Sequence, residues 1–174
     1  MDLEGNKYAG IDIKWDYAPF HKNHKACLSM EYYIDELLSK VGHTKPIKSQ
    51  LSPYLHTPIV YGATKKFTAD TNTSSPLDAK GILRVQKNVG ELLYYGRAVD
   101  KKLMVALSDI RPQQTAATVD TAAAVDQRLD YVITYPHDDI IYKASDMILE
   151  THSDISYLNE RLSRSRAGYK IFLS

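Results

Sequence analysis

The hydrophobic pattern of this chain changes period twice, from two residues to 3.6 and back to two, which restricts the folds it can adopt. Tyr8 to Asp16 alternates apolar and polar residues, and Lys25 to Ser29 offers a second short strand, so this part predicts a β-hairpin. Helical spacing follows, and strand-like segments return at Ile140 to Tyr142 and from Met147 to His152. We therefore predict an α+β fold with an N-terminal hairpin, a three- to four-helix unit and a C-terminal partial sheet.

Apolar stripes at helical spacing define the helices. The first helix starts at Met30, directly after the candidate cap Ser29, and Gly42 ends it. A helix from about Thr118 to Thr134 ends before Pro136. The stripes are Ile34, Leu37, Leu38 and Val41; Val85, Val89, Leu92 and Leu93; Leu103, Leu107 and Ile110; and Val125, Leu129, Val132 and Ile133.

A long irregular stretch separates the first helix from the others. Thr44 to Asp78 contains four prolines and a run of small polar residues, which is unusual inside a compact domain. We interpret it as a linker or as a loop that lies over a surface. The expected segments are a hairpin with a first helix at 1–43, this linker at 44–78, a helical unit at 79–136 and a truncated sheet at 137–174.

Composition excludes several classes of protein. Hydrophobic residues make up 44% and charged residues 25%, which is typical of soluble globular proteins. The net charge of +1 gives no overall basic field for nucleic acid, and Cys27, as the single cysteine, excludes a disulfide framework. The sequence has no apolar run of about 18 residues and no signal-peptide pattern, so we expect an intracellular protein without a membrane contact.

Short motifs in register resemble the Pol polyprotein of copia-type retrotransposons. They are Tyr8-Ala9-Gly10-Ile11-Asp12-Ile13 with Leu28-Ser29-Met30, Val89-Gly90-Glu91-Leu92-Leu93, Arg128-Leu129-Asp130-Tyr131-Val132, and the terminal strands around Ser153-Asp154 and Arg164-Ser165-Arg166-Ala167-Gly168. They are similar, in order, to the primer-grip hairpin, the thumb and connection of the reverse transcriptase, and the first hairpin of ribonuclease H. Ala9 and Glu91 depart from the family, which prefers Leu and Ser there.

The resemblance implies the function of the parent protein, which copies RNA into DNA with Mg²⁺ and degrades the RNA strand. It implies that Asp154 is a catalytic, metal-binding acid of ribonuclease H, and that the partners are a primer–template or an RNA–DNA hybrid. Nucleic-acid contacts are expected at Tyr8, Gly10, Trp15, Arg164 and Arg166. The other acids of both active sites fall outside residues 8–174, so we expect a fragment that is inactive alone.

Structural explanations compete with each of these roles. Trp15 could pack the hairpin on the first helix, and Gly10 could relieve a bulge. Asp146 and Glu150 fit solvent exposure as well as metal binding. A solvated turn accounts equally well for the basic residues Arg161, Arg164, Arg166 and Lys170. One carboxylate alone holds a hydrated Mg²⁺ poorly, so Asp154 is expected to be an orphaned ligand.

Other chemistry has little support in the sequence. His21 and His24 have ligand spacing without a third ligand in range, His43, His56, His137 and His152 add no pattern, and His137-Asp138-Asp139 is no substitute for polymerase acids. Cys27 is expected to be a small core residue rather than a nucleophile.

The alternative function is a non-enzymatic nucleic-acid-binding or interaction domain co-opted from such an element. The sequence does not indicate the oligomeric state.

Overall fold

The computed structural model describes residues 5–17, 24–55, 73–160 and 164–174, and for 158–160 and 164 it describes the backbone alone. The described residues up to Lys143, apart from Thr73, form one compact unit, and those from Ala144 onward belong to a second. They contain four α-helices, one 3₁₀ helix and six strands. The α+β class predicted from the sequence is confirmed.

An antiparallel four-stranded sheet forms one end of the first unit. Its strands, in spatial order, are β1 (Lys7–Tyr8), β2 (Ile11–Asp16), β3 (Lys25–Ser29) and β4 (Asp139–Lys143). β3 has the predicted bounds. The predicted strand from Tyr8 to Asp16 is interrupted at Ala9 and Gly10, which make a two-residue turn between β1 and β2.

The first helix, α1 (Tyr33–Val41), follows β3 closely. Gly42 ends it in the left-handed conformation, at φ 64°, and its N–H donates to the carbonyls of Leu38 and Ser39, as the sequence predicted. Ser29 does not cap this helix, because it lies in β3 and Tyr32 occupies the cap position without a side-chain hydrogen bond. The prediction of a Ser29 cap was therefore wrong.

The remaining helices are α2 (Ala79–Ala98), α3 (Lys102–Ile110) and α4 (Val119–Thr134), with a 3₁₀ helix, Arg111–Ala116, between α3 and α4. Asp78 caps α2 by accepting from the N–H of Gly81 at 2.8 Å. Thr118 and Thr121 form a reciprocal capping box at the start of α4. Each cap satisfies a backbone donor that the first turn of a helix otherwise leaves unpaired.

The core lies between the helices. Val89, Leu92, Leu103, Leu107 and Leu129 are fully buried there, in the stripes that the sequence predicted. Burial of such side chains supplies the main driving force for helix packing. No helix among the described residues is long and apolar enough to cross a membrane.

The stretch after α1 lies along α4 over its described part, residues 44–55. The backbone N–H of Gln50 donates to the Thr134 hydroxyl at 3.0 Å, and the Gln127 amide donates to the Ser52 carbonyl at 2.9 Å. The buried Arg128 guanidinium lies 5.4 Å from the centre of the Tyr54 ring. The remainder of the predicted linker, residues 56–72, lies outside the described residues.

The second unit contains an antiparallel ribbon of β5 (Leu149–Glu160) and β6 (Arg164–Leu173). Leu149 pairs with Leu173 and Ile155 with Ala167, and the register shifts between Ser156 and Glu160. The terminal pair of strands agrees with the prediction. β4 pairs with β3 in the first unit, so among the described residues the C-terminal sheet consists of β5 and β6. The division of the chain into segments at 1–43, 44–78, 79–136 and 137–174 stays a prediction.

Candidate nucleic-acid interface

The turn between β1 and β2 is fixed against α2. Ala9 and Gly10 have φ angles of 49° and 79°, a left-handed pair that fits a tight hairpin connection. The Tyr94 hydroxyl of α2 donates to the Ala9 carbonyl. A Cβ atom at Gly10 would lie 3.4 Å from that hydroxyl, and the positive φ favours glycine. Gly10 therefore serves a turn, and its expected role in relieving a bulge was wrong.

Aromatic residues lie in one transverse row of the sheet. Trp15 in β2 pairs with Ala26 in β3, and Ala26 pairs with Tyr142 in β4, so all three side chains project from the same face. Neighbouring strands lie about 4.8 Å apart, which leaves Trp15 and Tyr142 on either side of a small residue. We call these three residues the aromatic row. Trp15 is 47% exposed and Tyr142 is 55% exposed, so a planar group can approach both rings.

Two further tyrosines extend this surface. The Tyr17 ring stacks on Trp15, with centroids 5.6 Å apart and planes 14° from parallel. Tyr8 is 74% exposed and pairs with Ile11, which places it on the same face as Trp15. The Trp15 indole N–H donates to the Gly5 carbonyl at 3.2 Å, and its ring is not part of the buried core. Trp15 therefore lies outside the described hydrophobic core, and the expected packing of its ring on the first helix is not part of that core.

Two lysines lie at the same end of the sheet, on its other face. Lys25 and Lys143 are directly opposite one another on β3 and β4, and both are exposed. Like charges at directly opposed positions are unfavourable, and Asp16, the β2 partner of Lys25, offsets only part of this repulsion. An anionic group near this end of the sheet would relieve it.

Asp154 lies in the middle of β5, exposed and paired with Gly168. Glu150 projects from the same face but is four residues away, a separation of about 13 Å along a strand. Asp146 is exposed and precedes the strand. Two catalytic metal ions lie roughly 4 Å apart, so the carboxylates that bind them must lie close together. No group of three histidines, cysteines or acids that could hold a metal occurs among the described residues, so these residues do not fit a two-metal site.

The basic residues of the ribbon occupy the face that carries Asp154. Arg166 pairs with Ser156, whose hydroxyl bonds to both the N–H and the carbonyl of Arg166. Lys170 pairs with His152 on the same face. The backbone of Arg164 begins β6, but its side chain and the whole of Arg161 lie outside the described residues.

Cys27 lies in a cleft of about 270 Å³ on the opposite face of the sheet from the aromatic row. Its thiol donates to an Asp139 carboxylate oxygen at 3.1 Å, and this hydrogen bond, followed by burial, raises the pKa of the thiol. A raised pKa lowers the thiolate fraction and so disfavours nucleophilic chemistry. Cys27 is only half-buried and does not belong to the hydrophobic core, whereas we expected a small core residue.

Asp100 forms a buried acidic pair that no pattern in the sequence indicates. It is 1% exposed at the start of α3, where its carboxylate accepts from the N–H of Lys102 at 3.0 Å. Its side chain also hydrogen-bonds to Asp138, which in turn pairs with the Lys102 ammonium at 2.9 Å. Burial, and then the negative charge of Asp138, raise the pKa of Asp100 to about 6.

The histidines do not form a common site among the described residues. His43 bonds to the Asp130 carboxylate at 2.7 Å, which joins the end of α1 to α4. His24 lies beside Tyr17, with ring centroids 5.4 Å apart. His21 and His56 lie outside the described residues. The predicted lack of a histidine metal site is thus tested only in part.

No family model, curated protein or solved structure matches this chain. The resemblance to copia-type polyproteins therefore stays a prediction that depends on the short motifs. The exposed aromatic rings of Tyr8 and Trp15 lie at two of the positions where that resemblance expects nucleic acid.

The Asp100 pair predicts a specific pH dependence of stability. Because its pKa is higher in the folded state than its ordinary value of 3.8, its stabilising contribution is complete below about pH 3.8 and is lost as the pH rises through 6. As the pH rises from 4 to 7, we expect the free energy of unfolding of Asp100→Asn to increase relative to that of the unsubstituted protein. The increase is on the order of 1 kcal/mol after solvent screening. Urea unfolding at several pH values measures this difference.

The control for this prediction is Asp16→Asn, which removes an exposed carboxylate from the same compact unit. The change in stability with pH should be larger for Asp100→Asn than for this control. A difference between Asp100→Asn and the unsubstituted protein that is constant from pH 4 to pH 7 would contradict the assignment of the raised pKa to Asp100.

Proposed function

We propose that this chain is part of a copia-type reverse transcriptase and ribonuclease H polyprotein, and that it contacts nucleic acid through its N-terminal sheet. The observation that carries the proposal is the aromatic row, in which the half-exposed rings of Trp15 and Tyr142 flank Ala26 on one face of the sheet. The preferred partner is a primer–template or an RNA–DNA hybrid, bound where bases are unpaired or at an end.

Stacking accounts for the expected binding. Aromatic side chains on a sheet bind unpaired bases without regard to sequence, and each stacked base contributes about 1–3 kcal/mol. The small Ala26 side chain leaves space between the two larger rings for a planar group. Lys25 and Lys143, at the same end of the sheet, add favourable charge for the phosphate backbone.

The order of the elements supports the family assignment. A hairpin is followed by a helical unit, a further strand and a terminal hairpin, which is the order that the motifs imply. Glu91, where the family prefers Ser, has a local role, because its carboxylate accepts from the Tyr33 hydroxyl at 2.6 Å and joins α1 to α2. This departure from the family pattern is thus compatible with the proposed fold.

The parent protein would use Mg²⁺ for both of its reactions, whereas this chain is proposed to bind nucleic acid without catalysis. Asp154 does not belong to any group of three or more histidines, cysteines or acids among the described residues that could hold a metal. The alternative, a non-enzymatic interaction domain co-opted from such an element, predicts the same lack of catalysis. Salt-dependent binding of an RNA–DNA hybrid by the isolated chain is expected under both proposals and would exclude an inert fragment.

Removal of the indole should weaken binding. We expect Trp15→Ala to reduce the affinity for a fluorescein-labelled primer–template by about tenfold, because one stacked ring is lost. Fluorescence anisotropy titrations at two salt concentrations measure the change. Tyr135→Ala, which removes a ring of similar exposure at the end of α4, is the matched control and should bind within about twofold of the unsubstituted protein. Equal affinities for Trp15→Ala and Tyr135→Ala would contradict the proposed surface.

The purified chain should neither extend a primer nor cleave an RNA–DNA hybrid in Mg²⁺ or Mn²⁺. Asp154→Asn should leave its stability within about 0.5 kcal/mol, because an exposed strand carboxylate contributes little to folding. Gel assays of labelled hybrid and thermal unfolding test the two statements. Hybrid cleavage that disappears in Asp154→Asn would show that other acids complete a site.

A further inference from the structure

The two faces of the β5–β6 ribbon differ sharply in polarity. The pairing register places eight uncharged residues on one face, which we call the apolar face: Leu149, Thr151, Ser153, Ile155, Ala167, Tyr169, Ile171 and Leu173. The other face, which we call the polar face, carries both charge signs: Glu150, His152, Asp154, Ser156, Arg166, Lys170 and Phe172. The ribbon is thus amphipathic.

The apolar face is the more exposed of the two. Ile155 is 70% exposed, Tyr169 is 79% exposed and Ile171 is 56% exposed, whereas Phe172 on the polar face is only partly accessible. An isolated two-stranded ribbon is marginally stable in water, and a contiguous apolar patch of this extent is unusual on a monomer. The apolar face therefore needs a covering surface.

The polar face makes contacts within itself. The Lys170 ammonium lies 4.6 Å from the centre of the Phe172 ring, and the His152 ring meets Phe172 edge-on, with centroids 5.1 Å apart. The Ser174 hydroxyl donates to the Glu150 carboxylate at 2.9 Å. These contacts shield Phe172 and satisfy polar groups, which directs any association to the apolar face.

We propose that the apolar face binds the apolar face of a second copy of this chain, so that two ribbons stack across a two-fold axis. Such a contact is isologous. It places no like charges together, because the apolar face has no charged residue in either copy. Sheets stack face to face at a distance of about 10 Å. The occupant is a second copy because the face is uncharged and matches itself in polarity.

The available area is at the small end of the range for a dimer. Five large side chains provide most of it, namely Leu149, Ile155, Tyr169, Ile171 and Leu173. Typical areas for aliphatic and aromatic side chains give roughly 400–700 Å² for each copy. Stable protein interfaces bury about 800 Å² for each partner. The proposal does not depend on nucleic-acid binding by the N-terminal sheet.

Sedimentation equilibrium of the full chain over a range of concentrations tests this proposal. We expect the unsubstituted protein to dimerise, and Thr151→Lys, which adds a charge to the apolar face, to weaken the dimer at least tenfold. The matched control is His152→Glu, which adds a charge to the polar face at a neighbouring exposed position opposite Lys170, and it should dimerise as before. Circular dichroism establishes that each variant is folded.

A second variant, Tyr169→Ser, removes an exposed ring without adding a charge, so it tests the same face if Thr151→Lys fails to fold. It should also weaken the dimer. A monomer at every concentration for the unsubstituted protein would overturn the proposal, and so would a dimer that Thr151→Lys and Tyr169→Ser leave unchanged. Equal weakening by Thr151→Lys and His152→Glu would also overturn it, because the effect would not be specific to the apolar face.

Discussion

The stacked pair of Tyr33 and Tyr95 organises the first unit. Tyr95 in α2 is fully buried, and its ring lies parallel to that of Tyr33 in α1, with centroids 5.7 Å apart and planes 5° from parallel. The Tyr95 hydroxyl donates to the Pro136 carbonyl at 3.4 Å, beyond the end of α4. Burial raises the pKa of both hydroxyls, so they remain protonated donors near neutral pH. One aromatic pair thereby joins three helices.

The sheet depends on the same cluster. Tyr94, the neighbour of Tyr95 in α2, donates to the Ala9 carbonyl and fixes the turn between β1 and β2. Pro136 leads directly into β4, which pairs with β3. Both edges of the sheet are therefore attached to residues adjacent to the tyrosine cluster. This attachment holds Trp15 and Tyr142 in one row, and it explains how a sheet outside the helical core can offer a defined binding surface.

Local signals were sufficient for much of the fold. The bounds of β3, the left-handed Gly42 and the helix that begins after Thr118 all agree with predictions from short patterns. The interruption at Ala9 and Gly10 was missed because apolar residues on both sides of the turn still gave an apparent alternation. Periodicity over a few residues does not distinguish a continuous strand from a hairpin with a two-residue turn.

Non-local features could not be predicted in the same way. The pairing of β4 with β3 joins residues more than a hundred positions apart, and no local pattern specifies it. The burial of Asp100 depends on Asp138, which lies beyond α4. The exposed residues Tyr8 and Trp15 were named from the family resemblance, whereas Tyr142 became part of the same row only through the strand register.

The intrinsic fluorescence of Trp15 gives the most direct test of the proposed interface, because it is the only tryptophan in the chain. A titration with an unlabelled primer–template should quench this fluorescence, with a midpoint equal to the affinity measured by anisotropy, since a stacked base contacts the indole itself. Binding that is measurable by anisotropy but leaves the tryptophan emission unchanged would contradict the account, because nucleic acid would then occupy another surface.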